Sequence, residues 1–299
     1  DHTTTSQSMS KGAGFTWFNT ATYDFTILQD HAMSAMVGME SYQDNGISLN
    51  GSNWNLLSQF NDFSHAYLSN TTGQAYLDRD PVTNEIIGVV ETRNVSGAAN
   101  DKYRRASYFG RLTYNYKEKY LLNATVRRDG SSNFAKGHRW GVFPSVSAGW
   151  IVTQDYLQNI PALDFLKVRA SWGQVGNQSI DNFQFAAPIN TSTNISSDNP
   201  AAYYTFGTSN VNSPGAYPIR LSNQNVKWET SEQTNIGFDA KFLGNRLDAA
   251  FDYYIKNNRD WLVTVPVLAT AGAAPPVVNG GGVKNTGVEL ALSWSDKLS

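Results

Sequence analysis

The chain has 299 residues, no cysteine and a formal net charge of -2. The missing cysteines exclude a disulfide scaffold, a thiolate metal site and a cysteine nucleophile, and the charge lacks the basic excess with which nucleic-acid binders neutralise phosphates. Charged residues make up only 16% while aromatic residues reach 13%, a balance that suits one face in lipid and the other in water.

Length permits one large domain or two ordinary ones. The sequence opens at Asp1 with no initiator Met and no apolar leader, so a cleaved chain or an internal portion of a longer one is expected. In chain order, weak strands are expected from Phe15 to Asp24 and His31 to Tyr42, joined by a short turn at Leu28 to Asp30. After a long connection from Gln43 to Lys102, Tyr108, Gly110, Leu112, Tyr114 and Tyr116 alternate with Phe109, Arg111, Thr113, Asn115 and Lys117. Period two means strand. The alternation resumes after the polar turn Lys117 to Lys119, with Tyr120, Leu122, Ala124 and Val126 against Asn123, Thr125 and Arg127, which predicts a hairpin.

Further alternation covers Val142 to Trp150, where Pro144 suggests an edge or bulge. A helical turn or two is expected near Asp155 to Ile160, then a strand from Leu166 to Gly173. A long connection, Asn177 to Lys227, leads to the hairpin Gln233 to Phe242 and Leu247 to Lys256, and a last strand is expected from Val283 to Trp294. The apolar run Trp261 to Val278 is broken by Pro266, Gly272, Pro275 and Pro276, so it reads as strand and loop rather than a spanning helix. About nine long strands result.

A soluble sandwich also alternates. Three features favour a membrane barrel: connections alternate short and long, aromatic residues (Tyr114, Tyr116, Tyr120; Trp150, Tyr156, Phe165; Phe242) cluster beside the short turns, and the strands exceed the crossing length.

The blocks Tyr108-Phe109-Gly110-Arg111-Leu112, Lys119-Tyr120-Leu121-Leu122 and Val126-Arg127-Arg128-Asp129-Gly130-Ser131-Ser132-Asn133-Phe134 resemble the SusC/RagA family of TonB-dependent importers. Phe143-Pro144-Ser145, Ala148-Gly149-Trp150, Leu166 to Gly173 into Gly176-Asn177-Gln178, Trp228-Glu229, Asn235-Ile236-Gly237, Asp252-Tyr253-Tyr254 and Asn279-Gly280 with Val283 to Leu290 continue the likeness in order. Residues Asp1 to Asp101 fit more loosely.

The resemblance implies an all-β, antiparallel transmembrane β-barrel of about 22 strands with a plugged lumen. Residues 1–299 would be part of that one barrel domain, without plug, TonB box or N-terminal extension. It also implies the outer membrane of a Gram-negative bacterium and import of bulky nutrients, glycans or peptides. The implied partners are a SusD-like surface lipoprotein, TonB through the missing N-terminal part, and outer-membrane lipid; no cofactor and no enzymatic activity are implied. The alternative is a non-transporting carbohydrate-binding or structural outer-membrane β-protein.

On that reading Arg111, Asn115, Asn123, Arg127, Lys167, Arg169, Asn235 and Asp239 face the lumen, as wall or plug-packing groups. Trp54, Tyr203, Tyr204, Phe206 and Tyr217 are candidate ligand contacts in long loops, since rings stack on sugar faces, though loop packing or a partner interface without ligand contact is the preferred reading. The adjacent Arg127 and Arg128 invite an anion fork, against a structural turn in which Gly130 takes a positive φ and Asp129 pairs an arginine; the turn is preferred. His2, His31, His65 and His138 show no zinc spacing, and no metal site is expected.

Overall fold

The computed structural model describes residues 3–57, 59, 62–72, 74–79, 86–92, 94–99, 103–157, 160–190, 203–205 and 212–296. Its strands are β1 (Thr4–Ile27), β2 (His31–Trp54), β3 (Gln74–Arg79), β4 (Ile86–Thr92), β5 (Asn94–Ala99), β6 (Tyr103–Tyr116), β7 (Tyr120–Ser131), β8 (Trp140–Ile151) and β9 (Leu163–Asn177). They continue with β10 (Ile189–Asn190), β11 (Tyr203–Thr205), β12 (Asn212–Pro214), β13 (Tyr217–Pro218), β14 (Glu229–Phe242), β15 (Leu247–Arg259), β16 (Leu262–Thr264), β17 (Val277–Asn279) and β18 (Gly282–Trp294). One large sheet is ordered β1-β2-β6-β7-β8-β9-β14-β15-β18, with β5 branching from β2. The remaining strands form two-stranded ribbons: β3 with β4, β10 with β13, β11 with β12, and β16 with β17.

The chain forms two compact units, Asp1–Phe15 with Tyr42–Tyr103, and Thr16–Ser41 with Arg104–Ser299. The first holds the far ends of β1 and β2, the β5 segment paired against Ile47 to Ser52, and the β3–β4 hairpin. The short 3-10 turn Phe63–His65 is capped by the Asp62 carboxylate, which accepts from the His65 backbone N–H and the Ser64 hydroxyl.

In the second unit the strands reverse at one end through tight turns. Leu28, Gln29, Lys117, Glu118, Leu243 and Asn245 take positive φ there, the backbone that hairpin turns require. Neighbouring turns are stitched together: the Lys117 N–H donates to the Asp30 carbonyl, Ile151 to Lys119, and Leu243 to Ala162. The opposite end carries the longer connections. Where a helical turn or two was expected near Asp155 to Ile160, the described residues form the 3-10 turn Val152–Gln154 and a turn at Asp155 and Tyr156.

Two strand expectations change. β1 and β2 are each 24 residues long, so β2 continues through Trp54 where a loop was expected to begin at Gln43. The distal segment of β1, Ser6 to Gly14, carries no apolar alternation and is exposed on both faces. Pro144 stands inside β8, neither on an edge strand nor at a bulge. It pairs Val126 of β7, while the ladder to β9 begins only at Ser145, so its missing donor falls where that ladder has stopped.

Registers divide the second unit's sheet into two faces. Tyr108, Leu112, Leu122, Val126, Val142, Val146, Val168, Ile236, Phe238, Tyr253, Val288, Leu290, Leu292 and Trp294 share one. All are substantially exposed, Leu290 to 68%. A soluble sandwich turns that face inward; here it is bare. Trp140 and Trp150 lie ten residue steps apart on it, about 34 Å along a strand and about 26 Å along the normal at a tilt of about 40°. The apolar band of outer-membrane barrels is about 25 Å tall. Among the described residues no helix is long and apolar enough to cross a membrane, which leaves strand crossing untouched.

Candidate functional site

The opposite face is polar, and all the predicted wall residues lie on it. Arg111 pairs Thr125, Asn115 pairs Leu121, and Arg127 pairs both Phe109 and Phe143. Asn123, Ser147, Ser171 and Asn235 form one row across four strands, and Lys167 lies opposite Asp239. Because side chains opposite one another in antiparallel strands share a face, these pairings place Arg111, Asn115, Asn123, Arg127, Lys167, Arg169, Asn235 and Asp239 on a single surface.

Asn115, Asn123, Lys167, Arg169 and Asn235 line a trough of about 430 Å³ whose floor is Ser147, Gly149 and Ser171. Small floor residues make the depression. The Lys167 stem crosses Gly149, where an added Cβ would stand 3.0 Å from Lys167 Cε. Asn115 also accepts from the Glu118 N–H at 2.9 Å, fixing the adjacent turn, and Asn235 accepts from Gln233 at 2.9 Å.

Arg169 is the electrostatic centre of this wall. Its terminal nitrogens donate to both oxygens of Asp252 at 2.7 and 2.6 Å, and its Nε reaches both oxygens of Asp239 at 3.2 Å. Arg169, Gly237 and Asp252 stand in one row across three strands. The glycine is what lets the guanidinium pass over the middle strand, since a Cβ at Gly237 would lie 2.5 Å from Asp252 Oδ1 and 2.3 Å from the Phe251 carbonyl. Asp252 was missed in the sequence because its partner is two strands away.

Towards the long-loop end, Arg127 donates to Asp129 at 2.7 Å, to the buried Ser107 hydroxyl at 2.8 Å and to Glu40 at 3.5 Å. Glu40 also accepts from Arg105 at 2.9 Å. The expected Asp129 pairing is present; the Gly130 expectation is corrected. Gly130 lies in β7 and is not among the glycines at positive φ. Its role is steric: an added Cβ would meet the Trp140 ring at 2.8 Å. Arg127 and Arg128 point to opposite faces, so they cannot fork onto one anion.

The loop aromatics divide. Trp54 belongs to the first unit and is half-buried at the end of β2. Tyr217 belongs to the second, half-buried in the β10–β13 ribbon, its hydroxyl accepting from Asn190 at 3.0 Å. The side chains of Tyr203 and Tyr204, and all of Phe206, lie outside the described residues.

Sequence reasoning also missed a packed platform within the second unit. Phe134, Phe143, Val226 and Trp228 form a buried cluster with Ile180 and Leu262 against it. Trp228 meets Phe134 and Phe143 at ring separations of 5.3 and 5.5 Å and donates its indole N–H to the Arg139 carbonyl at 2.9 Å. Asn279 donates to the Lys227 and Asp260 carbonyls and accepts from the Lys227 N–H, while Asn133 reaches the Ile180 carbonyl. The sequence blocks around Asn133-Phe134, Trp228-Glu229 and Asn279-Gly280 thus meet in space.

At the turn end, Tyr116 stacks with Tyr120 at 6.1 Å, Tyr120 with Trp150 at 6.3 Å, and Trp150 meets Tyr156 edge-on at 6.0 Å. Asp155 pins this belt, accepting from Lys119 at 2.6 Å, Tyr120 at 2.7 Å and Trp150 at 2.9 Å. Those donors, Lys119 foremost, hold its carboxyl down from 3.8 to about 2. Phe165 does not join the belt: it pairs Lys241 and lines a recess with Asp239 and Ala250 on the polar face.

A family model described as TonB dependent receptor-like, beta-barrel, matches residues 2–299. A TonB-dependent receptor of Formosa agariphila is 33% identical over 72% of the chain and 21% of its own length. The TonB-dependent receptor SusC of Bacteroides thetaiotaomicron is 36% identical over 62% of the chain and 18% of its own length. The chain therefore spans about a fifth of these relatives. Among solved structures, the RagAB peptide transporter superposes with a TM-score of 0.76 at 24% identity, covering 98% of the chain and 29% of that one.

Proposed function

The chain belongs to the TonB dependent receptor-like β-barrel family of the outer membrane, and from that premise we propose that it supplies barrel wall and extracellular loops to an importer of bulky nutrients, glycans or peptides. One observation carries the reading: the sheet is inverted relative to a soluble protein, its apolar face bare and the charges of Lys167, Arg169, Asp239 and Asp252 gathered on the other. An apolar face of membrane height can stay bare only in lipid. The polar face then lines the lumen, where the trough and the Arg169 cluster meet water, cargo or a plug.

Under this reading the whole protein has about five times this length, as its relatives do, and the remainder supplies plug, TonB box and the other strands. TonB delivers energy through the plug, and a SusD-like lipoprotein closes the mouth from outside. The chain's task is mechanical and selective rather than catalytic. Tyr217 and the other loop aromatics, Trp54, Tyr203, Tyr204 and Phe206, would contact cargo or lipoprotein.

The test is the intact mass of the natively expressed protein extracted from outer membranes, with peptide mapping and identification of co-purifying lipoproteins. A mass several times 33.0 kDa, with peptides preceding Asp1 and a surface lipoprotein retained, is expected. A mass near 33.0 kDa would overturn the importer reading and leave a barrel-type binding protein.

A further inference from the structure

We propose that Arg104 and Arg128, with Trp140 and Tyr108, form a docking site on the outer wall for a phosphate-bearing lipid headgroup in the leaflet at the long-loop end. The inference rests on the outer-membrane setting and not on transport. In strands β6, β7 and β8 the apolar face carries no carboxylate, and its only charged side chains are these two arginines. Arg128 pairs Tyr108 and Val142 on that face. Arg104, whose backbone exchanges hydrogen bonds with Ser132, lies four residues beyond Tyr108 on the same face, two same-face positions further out. Both are exposed, and among the described residues neither guanidinium meets a carboxylate.

Position along the strand gives the site its chemistry. The Arg128 Cα lies inside the level of Trp140, yet its guanidinium stands over the Trp140 ring at 4.7 Å, so the side chain bends outward to the edge of the apolar band. Trp140 itself stacks with Tyr108 at 5.9 Å. Cation–π contact orients the guanidinium and leaves its in-plane donors free to fork onto a phosphate. An aromatic pair at the membrane interface places the site where headgroups lie. On β14 and β15 the same face carries an arginine at this end that is neutralised, Arg259 being paired with Glu232. A positive site left uncompensated at headgroup depth fits an anionic lipid, and its apolar surroundings fit acyl chains below it.

The experiment uses the full-length receptor, delipidated in detergent and titrated by native mass spectrometry with diphosphorylated lipid A, its phosphate-free form and phosphatidylcholine. Diphosphorylated lipid should bind at least tenfold more tightly than the other two. Arg104→Gln with Arg128→Gln should remove that preference, weakening it by roughly thirtyfold, while Lys284→Gln, an exposed cation elsewhere on that face, should leave it unchanged. Equal binding of the phosphate-free lipid, equal loss in the Lys284 variant, or no loss in the double variant would overturn the proposal. So would displacement of the lipid by inorganic phosphate at comparable concentration, which would mark a plain anion site. Should the double variant fail to assemble, the lipid series on the unaltered receptor decides alone.

Discussion

Arg169 shows how one side chain can tie three strands together when the middle one offers a gap. Replacing it with Lys keeps the charge and loses the fork, and this should lower unfolding stability of the full receptor by about 2 kcal/mol, read by urea denaturation in bilayers. Gly237→Val should reproduce that loss with all charges intact, because the new side chain would fill the crossing. Asp155 yields a pH dependence of known sign. Its carboxyl is depressed in the fold, so its contribution is present above the unfolded value of 3.8 and disappears as pH falls through about 2. Trp150 fluorescence should therefore change between about pH 4 and pH 2, and Asp155→Asn should abolish that transition. At this scale the sequence announced which face Arg169 and Arg127 occupy, since parity alone decides it. It did not announce Asp252 or Glu40 as partners, since those depend on registers between strands far apart in the chain.

Among the elements, strands within the apolar band were legible and strands beyond it were not. Lipid enforces alternation only where there is lipid, so Tyr108 to Tyr116 could be read residue by residue, while the distal run of β1 left no periodic trace. Phe165 was misplaced for a related reason: closeness in sequence to a turn does not fix the face, and its parity with Lys167 does. The loop platform was quoted in pieces by the sequence yet not assembled, because Phe134, Trp228 and Asn279 come from three separate connections. Trp228→Ala should cost about 3 to 5 kcal/mol of local packing. Limited proteolysis of the full receptor should then cut within 178–228 and 260–281 while the sheet strands stay protected; unchanged cleavage would remove the platform from the account.

For the whole molecule, the inverted sheet reverses the usual rules of surface tolerance. Leu290 is 68% exposed, and in a water-soluble protein Leu290→Arg would be nearly neutral. In the bilayer it should cost about 2 to 4 kcal/mol, measured as the shift in the folding equilibrium into liposomes, whereas Ser147→Arg on the polar face should be tolerated. The order of the sheet has a temporal corollary. From β6 to β9, and again from β14 through β15 to β18, each long strand lies beside the next one in the sequence, and the hairpins β6–β7 and β14–β15 close through tight turns at small entropic cost. Among the described residues the outer edges of β1 and β18 have no partner within the sheet, and a closed barrel permits no such edge. Assembly of the wall is then a problem of templating: each hairpin laid down presents the row of amides on which the next is spliced, and the chain can enter the membrane two strands at a time with its growing seam always in register.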